Sequence, residues 1–147
     1  MGLIRANAPA LPLLVEDAVV PPMRTGSLDR VLVDAPCSGL GTLRRRPDAR
    51  WRIDAAAPER LAAVQRGMLD AAVTLLRPGG LLVYSVCTLT DVEGPELADA
   101  LATACPDLVP LPAPTPGPWR TAGRVGHRVL PHESDTDGMY LARLRKG

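Results

Sequence analysis

Two short apolar runs, each ending at a cysteine, constrain the fold of this chain more than any other feature. The first, residues 31–33, leads through Asp34 to Cys37, and the second, residues 81–86, leads directly to Cys87. A continuous apolar run of this length is typical of a strand that is covered on both faces, as in a parallel sheet. We therefore expect two buried strands, each followed by a loop that carries a thiol.

A helix is expected between these strands. Residues 58–76 carry apolar side chains at helical spacing, and Pro58 suits the first turn of a helix. A strand, a helix and a second strand predict a right-handed crossover between two parallel strands. Because ligands bind at the carboxyl edge of such sheets, Cys37, Cys87 and Asp34 are expected to face one cleft.

Outside this unit the sequence predicts shorter elements. They are a helix tail over residues 1–11, a strand over 13–15, a helix over 93–104, a strand over 107–111, a turn over 128–131 and a last strand over 138–144. The loop over residues 43–57 is long for a connection without obvious structure, which indicates a functional loop.

Length, composition and cysteine number argue against several classes of protein. The 147 residues favour a single domain, and no apolar stretch approaches the roughly 20 residues needed to span a bilayer. The amino terminus lacks a signal-peptide layout, so a cytoplasmic location without a membrane partner is expected. Three cysteines without a CxxC pair, and no histidine at ligand spacing, argue against a disulfide framework and a metal site.

Arginines crowd around Trp51 in the loop that follows the first cysteine. The net charge of the whole chain is only +1, so the crowding is local rather than general. One interpretation is contact with nucleic acid; the other is a solvated loop in a chain whose only lysine is Lys146. The sequence alone leaves both interpretations open.

The two thiols suggest covalent chemistry. A thiolate is the strongest side-chain nucleophile near neutral pH, and here two thiols and a carboxylate are expected at one sheet edge. A single cysteine is more often a small buried hydrophobe, which is the interpretation favoured for Cys105. The matched positions of Cys37 and Cys87 favour a chemical role for that pair.

The residues around both cysteines resemble those of the Nop/Sun (Fmu) family of RNA cytosine-C5 methyltransferases. The resemblance rests on Asp34-Ala-Pro-Cys-Ser-Gly-Leu-Gly, on the following Arg-Arg-Arg-Pro-Asp, and on Tyr84-Ser-Val-Cys-Thr. Further matches are Gln65 with Arg66, the Leu76-Arg-Pro-Gly-Gly turn, and Asp137 with Gly138. Together these matches cover almost the whole chain, and two cysteine motifs in this order make the resemblance specific.

The resemblance implies an α/β fold of the Rossmann-like class I methyltransferase type, with a mostly parallel sheet and an antiparallel last strand. Residues 1–147 would then form the C-terminal part of a single methyltransferase catalytic domain that lacks its first strands. The glycine-rich loop that the family has after its first strand is not found here. We therefore expect the chain to need the missing N-terminal half, and to bind S-adenosylmethionine weakly or not at all when isolated.

For the site, the resemblance implies methylation of cytosine C5 through a covalent intermediate, with S-adenosylmethionine as the methyl donor. Cys87 resembles the nucleophile that attacks C6, and Cys37 resembles the second cysteine, which helps release the product. Asp34 resembles the acid beside both the cytosine and the methyl-donating end of the cofactor. Asp17, near the adenine, and Pro36 complete the implied cofactor contacts.

The implied partner is ribosomal or transfer RNA, whose target base must be unpaired or extruded. The residues implied in phosphate contact and stacking on RNA are Arg44, Arg45, Arg46, Arg50, Trp51 and Arg52. The chain departs from the family pattern at Gly94, where many relatives have asparagine, and at Met139 and Tyr140, which replace an aromatic pair.

Two other functions stay open. A non-catalytic RNA-binding or interaction fragment would keep the arginine loop without the chemistry. A thiol redox protein is disfavoured because the cysteines lack CxxC spacing, although sulfurs at disulfide distance, together with redox cycling, would favour it.

Overall fold

The described part of the chain forms one mixed sheet with two helices. A computed structural model describes residues 12–51 and 54–147, so the predicted helix tail over residues 1–11 lies outside the described residues. The strands are β1 (Leu28–Asp34), β2 (Leu76–Val86), β3 (Leu108–Pro110), β4 (Arg120–Ala122), β5 (Gly126–Val129) and β6 (Met139–Lys146). The helices are α1 (Ala57–Leu75) and α2 (Pro95–Ala104), with short 3-10 helices at Leu40–Thr42 and Pro47–Trp51.

The predicted strand–helix–strand unit is confirmed. β1 and β2 pair in parallel, with Val33 opposite Tyr84 and Asp34 opposite Ser85. α1 provides the crossover, and Pro58 lies in its first turn, where a missing backbone N–H costs nothing. The inward face of α1 buries Leu69 and Ala72 in the core that it shares with the sheet. The carboxyl ends of β1 and β2 therefore lie side by side.

The order of the strands corrects one expectation. Across the sheet the order is β1-β2-β6-β5-β4, and β3 pairs with β6. β6 is antiparallel to β2, which confirms the antiparallel last strand. The expectation of a mostly parallel sheet is wrong, because β3, β4 and β5 also form antiparallel pairs. The turn at Gly123, which has a φ of 70°, joins β4 to β5, and such short connections link antiparallel neighbours.

The predicted strand over residues 13–15 is also wrong. This stretch has no regular structure, and the side chains of Leu14 and Val15 are exposed. A strand needs a neighbour to satisfy its backbone hydrogen bonds, and residues 13–15 have none in the described sheet. The predicted turn over residues 128–131 is likewise wrong in part, since Arg128 and Val129 lie in β5.

The other predicted elements are close to those observed. The helix expected over residues 93–104 is α2, whose buried face carries Leu97, Ala98 and Leu101. The strands expected over residues 107–111 and 138–144 correspond to β3 and β6. In the ranges that the structure describes, no helix is both long and apolar enough to cross a membrane.

Two tyrosines from the neighbouring strands β2 and β6 pack beside the cysteine loops. The rings of Tyr84 and Tyr140 meet edge to face, with centroids 6.2 Å apart. A side chain at Gly126 would run into the Tyr140 ring, whereas a Cβ at Gly94 would lie 3.1 Å from the Thr90 carbonyl oxygen and 3.2 Å from that ring, a tighter contact than normal. The buried Tyr140 hydroxyl has no hydrogen-bond partner among the described residues. Within the described ranges, packing therefore holds the Tyr140 side chain, while its backbone pairs within the sheet.

Candidate active site

The two predicted cysteines meet at the carboxyl ends of β1 and β2. The Sγ atoms of Cys37 and Cys87 lie 3.3 Å apart, and both thiols are half-buried. This separation exceeds the roughly 2.05 Å of a disulfide bond, and both cysteines are free. Both thiols line one cavity of about 380 Å³, which we call the cysteine cavity. The parallel pairing of β1 and β2 thus produces the convergence expected from the sequence.

The two thiols differ in their surroundings. Burial, and then the hydrogen bond with Cys87, raise the pKa of the Cys37 thiol to about 12. A backbone contact from Gly39 lowers this pKa, but by less than the other two raise it. Cys37 therefore stays protonated near neutral pH, and its S–H can donate to the Cys87 sulfur.

A buried carboxylate connects the two cysteine loops. Glu93 is fully buried and accepts hydrogen bonds from the Ser38 N–H (2.7 Å) and the Ser38 hydroxyl (2.5 Å). It also accepts from the hydroxyls of Thr88 (2.7 Å) and Thr90 (2.9 Å). Burial pushes the pKa of Glu93 upward, but these hydrogen bonds outweigh burial and hold it below its usual range. Glu93 is therefore ionised at neutral pH.

Two further side chains fix this carboxylate and the first loop. The Gln65 amide, on α1, donates to the Pro36 carbonyl (2.8 Å) and to Glu93 Oε1 (3.2 Å). The Tyr84 hydroxyl, on β2, donates to the backbone carbonyl of Glu93 (2.6 Å). Burial, reinforced by the Glu93 charge, raises the pKa of Tyr84, so its hydroxyl remains a donor.

A backbone contact at Gly41 ties together three loops. The Gly41 N–H donates to the Cys87 carbonyl (3.0 Å), and the Gly138 N–H donates to the Gly41 carbonyl (2.8 Å). A Cβ at Gly41 would lie 2.7 Å from the carbonyl carbon of Gly138, far inside normal contact. Only glycine lets the loop after Cys37 approach the other two this closely.

The predicted cofactor residues divide between two cavities. Asp34 is exposed and lines both the cysteine cavity and an adjacent cavity of about 320 Å³ along β1, which we call the edge cavity. Pro36 lines the cysteine cavity. Asp17 lines neither of these cavities, and its Oδ1 accepts a hydrogen bond from the Val19 N–H (2.9 Å). Its neighbour Glu16 lines the edge cavity instead.

The arginine cluster is split by ion pairing. Arg44 pairs with Asp135, and Arg45 Nε lies 2.6 Å from Asp137 Oδ2, so both arginines bind the loop that precedes β6. Arg46, in contrast, is exposed and lines the cysteine cavity.

The remaining members of the cluster face solvent or lie outside the described ranges. Arg50 is exposed and the Trp51 side chain is 83% exposed. Arg52 lies outside the described residues. Nothing in the described contacts buries these groups, so Arg50 and Trp51 are accessible to a partner.

Sequence reasoning missed the polar side chains beneath the cysteines. Ser38, Thr88 and Gln65 were matched to the family pattern but were given no role, and neither was Glu93, although Ser38 and Thr88 each follow a cysteine directly. Those matched hydroxyls were the available signal, since buried hydroxyls need a shared acceptor. Among the residues the structure describes, no group of three or more His, Cys, Asp or Glu side chains could hold a metal ion.

A larger cavity lies at the opposite end of the same strands. Its volume is about 670 Å³, and it is lined by Asp29, Arg30, Arg77 and Arg145. Arg77 Nε lies 2.6 Å from Asp29 Oδ1, and both side chains are more than half exposed. None of the predicted site residues lies in this cavity.

Known proteins share both the sequence and the fold. A family model described as 16S rRNA methyltransferase RsmB/F matches residues 5–145. Ribosomal RNA small subunit methyltransferase B of Thermus thermophilus is 42% identical over 117 residues, which cover 80% of this chain and 29% of the relative.

Two solved structures show the same α/β arrangement. PH0851 matches with a TM-score of 0.73 and 33% identity, over 83% of this chain and 27% of that one. NSun6 from Pyrococcus horikoshii with SFG matches with a TM-score of 0.67 and 32% identity, over 78% of this chain and 29% of that one. The chain thus spans less than a third of the length of these relatives. The resemblance noted in the sequence is confirmed, and the chain belongs to the RsmB/F family of 16S rRNA methyltransferases.

Proposed function

We propose that this chain carries the thiol chemistry of an S-adenosylmethionine-dependent RNA cytosine-C5 methyltransferase. The observation that supports this proposal most strongly is the pair of free thiols, whose sulfur atoms lie 3.3 Å apart in one cavity. Of these two thiols, Cys37 is held in its protonated form. Membership in a family of 16S rRNA methyltransferases, and similarity to the ribosomal RNA methyltransferase of Thermus thermophilus, favour ribosomal RNA over transfer RNA as the substrate.

The two cysteines take different roles in this proposal. Carbon C5 of cytosine is a poor nucleophile, so the Cys87 thiolate adds to C6 and leaves an enamine-like C5. Protonated Cys37 can donate a hydrogen bond to the Cys87 sulfur, so Cys87 is the acceptor of the pair. After methylation, the C5 proton passes to solvent and the Cys87 sulfur departs as a thiolate, which restores the ring, and the Cys37 S–H lies close enough to donate a hydrogen bond to that departing sulfur.

The two adjacent cavities fit a base and a methyl donor that share one acid. The edge cavity falls at the lower end of the usual volume for a small-molecule site. The carboxylates of Glu16 and Asp34, with apolar Met23 and Met68, line it and suit a cationic sulfonium beside an apolar wall. When bound there, S-adenosylmethionine would supply the methyl group. Asp34 would hold the base on one side and the donor on the other, and Glu16 rather than Asp17 would be the second acid beside the donor.

The RNA contacts in this proposal are narrower than the whole arginine cluster. Arg46 lines the cysteine cavity and is placed for the phosphate next to the target base. Arg50 and exposed Trp51 suit a neighbouring phosphate and an unstacked base. Arg44 and Arg45 instead hold the loop before β6 through their aspartate partners.

The test uses a full-length chimera. Residues 12–147 would replace the matching segment of the Thermus relative, and the chimera would be assayed for transfer of labelled methyl groups to ribosomal RNA. We expect Cys87→Ala to reduce transfer to background. We expect Cys37→Ala to trap a protein–RNA adduct that survives denaturing electrophoresis.

Other outcomes would contradict the proposal in distinct ways. Full activity of Cys87→Ala, or no adduct with Cys37→Ala, would remove the assigned roles. Salt-dependent RNA binding without methyl transfer, measured by filter binding, would favour the non-catalytic RNA-binding fragment. Reversible cycling of Cys37 and Cys87 between thiols and a disulfide, with no methyl transfer, would favour the redox protein.

A further inference from the structure

We propose that Glu93 is a positioning residue that sets the separation of the two cysteine sulfurs. This inference rests on the proposed function, since the separation matters only if both thiols act on one base. Glu93 lies in the loop before α2 and does not line the cysteine cavity. It therefore acts through the loops that carry Cys37 and Cys87.

The first support is the identity of its donors. Ser38 directly follows Cys37 and Thr88 directly follows Cys87, and both donate to the Glu93 carboxylate. The two hydroxyls also lie 2.9 Å from each other. One side chain thus holds the residue next to each thiol, across 50 positions of sequence.

The second support is the chemical nature of the side chain. An ionised carboxylate is costly to bury, and an apolar residue would fill the same space at lower cost. A carboxylate, however, has two oxygens that can accept several hydrogen bonds at once, and Glu93 uses both. A glutamine could accept on one oxygen only, so its amide N–H₂ would meet either the Ser38 N–H or the three hydroxyls that donate to the other carboxylate oxygen.

The third support is that Glu93 is itself held in place. The Tyr84 hydroxyl on β2 fixes its backbone carbonyl, and Gln65 on α1 contacts both its carboxylate and the Pro36 carbonyl. Glu93 therefore fixes the positions of the two thiols relative to β2 and α1, and not only relative to each other's loop. A shift of about 1 Å in one sulfur would be expected to cost a large factor in rate.

The test measures the distance between the thiols without RNA or cofactor. The 147-residue chain with Cys105→Ala retains two cysteines, and dibromobimane becomes fluorescent when it bridges two nearby thiols. We expect Thr88→Val to slow bridging by about tenfold, because the loop after Cys87 loses its bond to Glu93. Thr90→Val removes a donor to the same oxygen, but Thr90 does not adjoin a cysteine, so a smaller loss is expected.

A second pair of variants tests the carboxylate directly. Glu93→Gln is expected to slow bridging at least as much as Thr88→Val does. Exposed Glu96, in the first turn of α2, gives the matched control, and Glu96→Gln is expected to leave the bridging rate unchanged. If Glu93→Gln does not fold, the comparison of Thr88→Val with Thr90→Val decides the matter.

The outcomes separate positioning from stability and from the proposed function. Equal bridging rates in all folded variants, or equal losses for Thr88→Val and Thr90→Val, would overturn the positioning role even if melting temperatures fall. In the chimera, Thr88→Val is expected to lower kcat with little change in KM for RNA. Slowed bridging in the 147-residue variants, together with a chimera that never methylates RNA, would leave the positioning role intact and contradict only the proposed function.

Discussion

The two ends of the parallel pair β1 and β2 carry polar groups that are organised in opposite ways. At the carboxyl end, Cys37 and Cys87 lie over a buried carboxylate with at least four donors. At the amino end, arginines line a larger cavity, and the ion pair between Arg77 and Asp29 is exposed to solvent. Solvent screens exposed ion pairs, so they fix side-chain positions only weakly. Buried polar groups whose hydrogen bonds are all satisfied fix side-chain positions much more strongly. Fixed geometry therefore marks the candidate site better than cavity volume does.

The largest difference between the two ends is expected on deleting a carboxylate from each. Glu93→Ala leaves the Ser38 N–H and three hydroxyls without their buried acceptor, so we expect the free energy of unfolding to fall by roughly 3 kcal/mol. Asp29→Ala at the amino end should change it by less than about 1 kcal/mol. Urea unfolding followed by circular dichroism measures both, and similar losses would erase the contrast.

A glycine at each end gives the next comparison. Gly41→Ala forces a Cβ into the Gly138 carbonyl and moves the loop after Cys37, at a cost of roughly 2 kcal/mol. Gly79, at the amino end, has a φ of 77° but open space around it. Gly79→Ala should therefore cost only the backbone strain, about 1 kcal/mol. A larger loss at Gly79 in thermal unfolding would contradict the contact seen at Gly41.

The two tyrosines separate hydrogen bonding from aromatic packing at the carboxyl end. Tyr84→Phe leaves the Glu93 carbonyl unpaired and should lower the free energy of unfolding by about 1 to 2 kcal/mol. Tyr140→Phe removes a hydroxyl without a described partner, so stability should be unchanged or slightly increased. Denaturant unfolding of both variants checks this, and a loss at Tyr140 would reveal a partner for its hydroxyl.

The smallest expected effect is a change in the pH dependence of stability. Although burial opposes it, hydrogen bonding from Ser38 and the two threonines holds the pKa of Glu93 below its unfolded value of about 4.3. The ionised form then stabilises the fold above that value, and the contribution is lost as pH falls through the folded pKa. Between pH 6 and pH values of about 3 to 4, the parent chain should lose more stability than Glu93→Gln does.

That comparison carries its own control. The pKa values of Asp54 and Asp137 are also lowered, each mainly by hydrogen bonds from an arginine, Arg60 and Arg45 respectively. Both groups are present in the parent and in Glu93→Gln, so their contributions cancel in the difference. Identical acid slopes for the two proteins would show that Glu93 titrates alike in the folded and unfolded chains.

The sequence predicted the strand–helix–strand unit because its signals are local. Fewer than 20 residues are enough to recognise the apolar run of β1, the apolar run of β2 or the helical spacing of α1. The parallel pairing of β1 and β2 then brings Cys37 next to Cys87. The short strands β4 and β5 have three and four residues, too few to show an alternation of apolar and polar side chains. The mostly antiparallel sheet was therefore missed.

The rest of the candidate site depends on distant partners. Glu93 finds its donors on the loop after Cys37, on α1 and on the loop after Cys87, and no local pattern connects those segments. The division of the arginine cluster likewise depends on Asp135 and Asp137, about 90 positions further along. Burial and pairing of this kind follow from the tertiary structure and not from the spacing of residue types.

The contact at Gly41 couples two positions that are far apart in the sequence. A Cβ at Gly138 would lie 2.5 Å from the end of the Leu89 side chain and 3.1 Å from the Gly41 Cα. The exposed Leu89 side chain can move aside, whereas the Gly138 carbonyl that a Cβ at Gly41 would meet is backbone and cannot move without displacing the chain before β6. In directed evolution of this protein, randomising positions 41 and 138 together should therefore return glycine more strictly at 41 than at 138.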